Sequence, residues 1–272
     1  MFRSGEDTSL APGKEHPMSQ PIKAAPKKTA IVTGASGGLG LAITQAFLAR
    51  GYTVVMAGSN PDRLASTHES LGQPETAITV VGDLADAKDR ARLVDAALSA
   101  FGRVDVLVNN AGVFEPKPFL EVEEADLDRF LSTNLKGTFF LSQAVIPHMR
   151  EAGGGAIVNI GTVLVDHALG GVPATAAVAS KGAIHALTVQ LAAEFGTDRI
   201  RVNTIAPGIV RTPIHARNGI EDADSLAGLH LVNRIGEPEE IAEVVVQVAS
   251  NGFISGATIN VDGGHVAGHR LG

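Results

Sequence analysis

The sequence predicts one doubly wound parallel α/β domain, a three-layer αβα sandwich with about seven strands, and three observations carry that expectation. From Lys28 onward, short β-branched runs alternate with helical stretches long enough for right-handed crossovers. No Pro-, Gly- or Ser-rich linker breaks the alternation between Lys28 and Gly272. With 272 residues, 44% of them hydrophobic and 19% charged, the chain is long enough to bury a single large core.

In chain order, residues 1–27 mix Pro, Ser, Gly and charge without apolar periodicity, which predicts a disordered tail; they lack the apolar core of a secretory signal, and Met18 offers an alternative start. Strands are expected at Thr29–Thr33, Thr53–Ala57, Ala77–Val81, Val104–Asn109, Ala156–Ile160, Arg201–Ile205 and Ala257–Val261. Between them the helical stretches are Leu39–Arg50, Lys88–Phe101, Glu124–Met149, Ser180–Phe195 and Pro238–Ala249. A lid over the substrate is expected around 213–234.

Composition removes whole classes of function. Against 29 Asp+Glu there are 22 Lys+Arg, a net charge of −7, and no basic block stands out, so no surface is supplied to neutralise the phosphates of a nucleic acid. No apolar run approaches the roughly 20 residues of a membrane span. The absence of cysteine excludes a disulfide framework, a thiolate metal site and a thiol nucleophile, and it fits a reducing, cytoplasmic setting. The chain has a single tyrosine, Tyr52.

Thr33-Gly34-Ala35-Ser36-Gly37-Gly38-Leu39-Gly40 follows the first strand and opens the first helix. Glycines there let the backbone turn tightly and approach a pyrophosphate, whose charge the free N–H groups and the helix dipole stabilise. The spacing is Gly-x-x-x-Gly-x-Gly. Together with Gly82-Asp83-Leu84 after strand three, Asn109-Asn110-Ala111-Gly112 after strand four, Asn134 in Thr133-Asn134-Leu135-Lys136-Gly137, Lys181 in Ala179-Ser180-Lys181-Gly182 and Pro207-Gly208 after strand six, it resembles the short-chain dehydrogenase/reductase family over Lys28–Gly264.

That resemblance implies a Rossmann-type fold that binds NAD(P), usually as a homodimer or homotetramer, and moves hydride between the nicotinamide and a small alcohol or carbonyl substrate. Gly34, Ser36, Gly38, Leu39 and Gly40 would form the pyrophosphate turn. Asp83 and Leu84 would meet the adenine, although Asp83 also suits the cap of the following helix. Asn110, Ala111 and Gly112 would face the ribose, while Asn109 ties neighbouring strands. Pro207, Gly208, Ile209 and Thr212 would enclose the nicotinamide, and Lys181 would hold its ribose. At the end of strand two, Gly58 stands where an acid would select NAD, and Ser59 where many NADP-using relatives carry arginine. With Ser59, Asn60 and the nearby Arg63 and no repelling carboxylate, the expectation leans to NADP(H) over NAD(H).

The catalytic set implied by the resemblance is Asn134, a hydroxyl at Thr162 in place of serine, and Lys181. The family's tyrosine, four residues before the lysine, is replaced by Ala177. Three groups could supply the missing acid: His167, beside Asp166 in the loop after Thr162; Thr175, otherwise a cap or turn residue; or a water relayed from Lys181 and Asn134. His265 and His269 have an i, i+4 spacing, but the surrounding glycines disfavour the helix a metal site would need, and no metal is expected. The small-residue faces of Glu124–Met149 and Ser180–Phe195 suit packing against a second subunit or against their own sheet. Two classes of function follow: an oxidoreductase using a non-tyrosine acid, or a dinucleotide-binding protein without redox turnover, including a lyase or isomerase on the same site.

Overall fold

A computed structural model describes residues 27–268; the expected tail up to residue 26, Met18 and His269 lie outside the described residues. The strands are β1 (Thr29–Thr33), β2 (Thr53–Gly58), β3 (Ala77–Val81), β4 (Val106–Asn109), β5 (Gly155–Ile160), β6 (Ile200–Pro207) and β7 (Thr258–Val261). They form one sheet of order β3-β2-β1-β4-β5-β6-β7 with every neighbouring pair parallel. Chain direction across the sheet therefore reverses between β1 and β4, and the carboxyl ends of the strands open a crevice there.

The helices are α1 (Gly38–Ala49), α2 (Pro61–Ser70), α3 (Ala87–Phe101), α4 (Glu124–Phe130), α5 (Gly137–Glu151), α6 (Thr175–Phe195), α7 (Ile214–Arg217) and α8 (Pro238–Ser250). One face of the sheet packs Ile43 and Phe47 of α1 and Ile241, Val245 and Val246 of α8 against Val32, Val54 and Val158. Leu93 and Val94 of α3 and Leu141 and Val145 of α5 cover Ile31, Val55 and Leu107 on the other. Burial on both faces is why β1, β2 and β4 read as nearly continuous apolar runs, whereas the edge strands β3 and β7 are partly exposed.

Several boundaries differ from expectation, β6 running from Ile200 to Pro207 among them, and three have clear local reasons. Asp105 leaves the start of β4 because its carboxylate accepts the Thr29 N–H at 2.8 Å and pairs with Arg103 at 2.6 Å. The stretch Glu124–Met149 is not one regular helix: a π-helical turn, Leu131–Lys136, separates α4 from α5. Helix α6 starts at Thr175, five residues before Ser180, and buries Ala176 and Ala177. Helix α2, absent from the expected set, starts at an Asn60 cap followed by Pro61.

A buried polar chain crosses the sheet just below the crevice. Asn109 Nδ2 donates to Asn159 Oδ1 at 2.9 Å, Asn159 Nδ2 donates to Thr188 Oγ1 at 2.9 Å, and Thr188 and Thr204 share a 2.7 Å hydroxyl contact. This is the strand tie expected of Asn109. Asn159→Ala leaves a donor and an acceptor unpaired where water is excluded, so the unfolding free energy from urea titration should fall by about 2–4 kcal/mol. A Thr188→Val variant, which removes only one hydroxyl, should lose less.

Candidate active site

Helix α1 begins without help from any side chain. Its cap residue Gly37 makes no side-chain bond and its first turn holds no acid, whereas α2 and α3 are capped by Asn60 and Asp86, and α4 and α8 start with capping boxes. The N–H groups at that end are left for an anion. Gly40 explains how close the helix comes to the turn: a Cβ there would lie 2.1 Å from the Gly34 carbonyl oxygen. A dinucleotide pyrophosphate fits this cradle. Gly34, Ser36, Gly38 and Leu39 lie in or beside it, and Thr212 and Pro213, where the segment expected as a lid begins, approach the Cβ position of Gly38 to 3.5 and 3.4 Å.

The loop after β4 forms the next wall. Asn110 ties it to the glycine turn, its Nδ2 donating to Thr33 O at 2.8 Å, while Thr33 Oγ1 accepts the N–H groups of Asn110 and Ala111 at 2.9 Å each. Asp83 does not cap the helix that follows; Asp86 does, accepting Lys88 N–H at 2.7 Å, and Asp83 instead closes a turn onto Ala85 N–H at 2.9 Å. Leu84 packs against the start of α5 at Gly137.

Lys181 and Asn134 converge on Gly112. A Cβ there would stand 3.2 Å from Lys181 Nζ and 3.0 Å from Asn134 Oδ1. The π turn buries Asn134 completely, with Oδ1 accepting Val113 N–H at 2.8 Å and Nδ2 donating to Val113 O at 3.0 Å and Ser180 Oγ at 2.9 Å. Such turns often mark functional sites. Lys181 Nζ donates to Ile160 O at 2.6 Å, and burial lowers its pKa to about 8.

Thr162, half-buried, follows β5 and caps the short 3-10 turn Val163–Val165, its hydroxyl accepting Leu164 N–H at 3.3 Å. Ala177 is buried with Phe130 and Ala176 in a small apolar cluster against which Val113, Phe114 and Val122 pack. Thr175 opens α6 and caps nothing; the cap position belongs to Ala174. The ring of His167 packs edge-on against His265 at 5.3 Å. Tyr52 is buried against Phe47 where β2 begins, at the sheet end opposite the crevice, with its phenol pKa raised by burial. Among the described residues no group of three or more His, Cys, Asp or Glu is arranged to hold a metal.

Sequence reasoning missed His185. It lies one helical turn after Lys181, on the same face of α6, and its buried Nε2 has no hydrogen-bond partner among the described residues. That nitrogen lies 2.6 Å from the Cβ position of Gly161, so only glycine fits there. Burial pushes its pKa down, Asp166 opposes the shift and Lys181 reinforces it. The i, i+4 spacing from Lys181 was the available signal.

Pro207 ends β6, and Gly208 and Ile209 follow it. Ser59 and Asn60 are exposed just beyond β2, and Asn60 Oδ1 accepts Arg63 N–H at 2.9 Å. Between the β4 loop and α7 a cleft of about 560 Å³ runs along Gly112–Pro116, bounded by Arg129, Arg217 and Asn218.

The model of the short chain dehydrogenase family matches residues 28–222. The chain belongs to that family. It is an NAD(P)-dependent oxidoreductase of the short-chain dehydrogenase type with a Rossmann-like fold. It is 33% identical over 242 residues to a 3-oxoacyl-[acyl-carrier-protein] reductase FabG of Thermotoga maritima, covering 88% of this chain and 98% of that one. It is also 38% identical over 242 residues to a D-threitol dehydrogenase of Mycolicibacterium smegmatis, covering 88% and 92%. A solved structure, ElxO with NADP bound, superposes with a TM-score of 0.82 at 27% identity over 89% of this chain and 100% of its own. Among the described residues no helix of this short-chain dehydrogenase is long and apolar enough to cross a membrane.

Proposed function

We propose that this short-chain dehydrogenase interconverts a small alcohol and its carbonyl compound with NADP(H) in preference to NAD(H), and that it does so without a tyrosine acid. The observation that carries the reading is the convergence of Lys181 Nζ and Asn134 Oδ1 on Gly112, beside the cleft and with Thr162 close to the same strand end.

When bound, the dinucleotide supplies hydride at its nicotinamide. Gly34, Gly38, Leu39 and Gly40 hold the pyrophosphate on the α1 terminus; Gly112 and Lys181 border the ribose; Gly208, Ile209 and Thr212 flank the nicotinamide. Thr162 orients the substrate oxygen through its hydroxyl. Lys181 gives up a proton to that oxygen, through a bridging water, and regains it from solvent along the Asn134 loop. A pKa of about 8 suits that exchange near neutral pH. His167, whose ring is engaged with His265, is the second candidate for the acid.

NADP(H) preference is supported by the absence of a carboxylate at Gly58, Ser59 and Asn60, together with the NADP bound to ElxO. Phe139 and Phe140 on α5 and Val189 on α6 are exposed apolar groups consistent with a homodimer or homotetramer.

The test is a panel of aldehydes and ketones with NADPH, run on the parent and on Ala177→Tyr. Turnover by the parent, reduced about 10²-fold by Thr162→Val and little changed by His167→Ala, is the expected result. The tyrosine variant should exceed the parent only if Phe114 moves aside, because Phe114 packs on the cluster that holds Ala177. A parent and a tyrosine variant both inert across the panel, yet still binding NADPH, would favour the non-redox dinucleotide-binding protein instead.

A further inference from the structure

Three histidines from three separate segments meet behind the nicotinamide loop. His230 ends the short 3-10 helix Ala223–Leu229 of the lid, His265 lies in the turn after β7, and His167 lies in the loop after β5. The His265 ring is fully buried, 5.6 Å from the His230 ring and 5.3 Å from the His167 ring. His230 is itself only 2% exposed, and its Nε2 accepts the backbone N–H of Ile209 at 3.1 Å. The same nitrogen stands 2.9 Å from the Cβ position of Gly208, so glycine is what lets the ring reach the loop.

An imidazole nitrogen that accepts a hydrogen bond carries its lone pair, so the ring proton of His230 is on Nδ1. That nitrogen is buried and makes no hydrogen bond among the described residues. A protonated ring has no lone pair to offer Ile209. We infer that His230 is a positioning residue: in its neutral form it pins the loop Pro207–Gly208–Ile209 to the lid, and acid releases the pin.

The groups facing the ring do not rescue the cation. Asp262 attracts it, but its two oxygens already accept Gly264 N–H at 3.0 Å and Val266 N–H at 2.8 Å. Arg234 repels it while holding Glu240 through two 2.7 Å bonds. The Ala227 and Leu226 carbonyls favour a proton on the ring, and the neighbouring His265 ring adds a second titratable group in the same buried space. Burial prevails and holds His230 below the ordinary histidine range. The sign follows from linkage. An opened lid leaves His230 near 6.5 and the closed lid holds it lower, so closure is complete above that value and weakens as pH falls below it.

This role rests on the nicotinamide-binding reading of the Pro207–Ile209 loop, and the test separates the two. Hydrogen–deuterium exchange on the full-length protein without cofactor, corrected for intrinsic rates, should show protection of 205–212 and 223–234 falling several-fold between pH 7.5 and 5.5, with about tenfold as the ceiling for an imidazole that ionises near 6.5 when exposed. His230→Gln, whose side-chain carbonyl can accept the Ile209 N–H at either pH, should keep its protection at both. His230→Phe should lose it at both. Calorimetric titration with NADP+ should weaken at pH 5.5 for the parent and not for His230→Gln. Protection in the parent that ignores pH, a Gln variant that remains acid-sensitive, or a Phe variant protected like the parent would each overturn the inference. A parent that fails to bind NADP+ at pH 7.5 overturns the cofactor reading alone, and the exchange result still decides the pin.

Discussion

Lys181→Met is expected to weaken NADPH binding at least tenfold and to reduce turnover 10²-fold or more. The first loss would reflect the charge-assisted hydrogen bond proposed to the ribose, whose removal costs about 1.5–3 kcal/mol, and the second the loss of the proposed proton donor. The pH dependence of the parent gives the sharper measurement. If Lys181 is the acid as proposed, carbonyl reduction needs its ammonium form, so with a pKa of about 8 the rate should be level below pH 8 and fall tenfold per unit above it. Alcohol oxidation needs the free amine and should run the other way. A limb near pH 8 that survives in the methionine variant would assign the titration to another group.

Gly40→Ala should be the most damaging single-carbon change in the molecule. Its new methyl would lie 2.1 Å from Gly34 O, 2.7 Å from Gly34 C and 2.9 Å from Ala35 Cα, all of them backbone that cannot rotate away. Either α1 withdraws from β1 or the turn opens, and both destroy the pyrophosphate cradle. Unfolding stability should fall by about 3 kcal/mol, and saturable NADPH fluorescence should disappear. Gly182→Ala serves as the control, because its methyl would meet only Val165 Cγ1 at 3.8 Å on a helix that gains from alanine. Equal behaviour of the two variants would mean that the close approach at Gly40 does not matter.

The sheet was legible because parallel strands buried on both faces must be largely apolar, and β1, β2 and β4 announce themselves that way. The glycine turn, Lys181 and Asn134 were legible as motifs, each a local string with a chemical purpose. The π turn Leu131–Lys136 was not, since the apolar spacing of Glu124–Met149 passes through it unchanged while the backbone shifts to bury Asn134. The early start of α6 was hidden by a Gly-Gly-Val-Pro stretch that reads as loop up to Ala174, and by the absence of a capping side chain. From sequence, His167 reads as a candidate acid and His265 as half of an i, i+4 pair with His269, while His230 belongs to no motif. Their contact depends on partners 35 and more residues away, which no local pattern encodes.

Tyr52 has a practical consequence. The chain has one tyrosine and no tryptophan, so its intrinsic emission comes from a single phenol packed 5.0 Å from Phe47 at the far end of the sheet. That signal reports whether the α1–β2 corner is folded and is remote from the crevice where a nicotinamide would fluoresce. Folding and ligand capture can therefore be followed on one sample as two optically separate channels, with no added label and no engineered reporter.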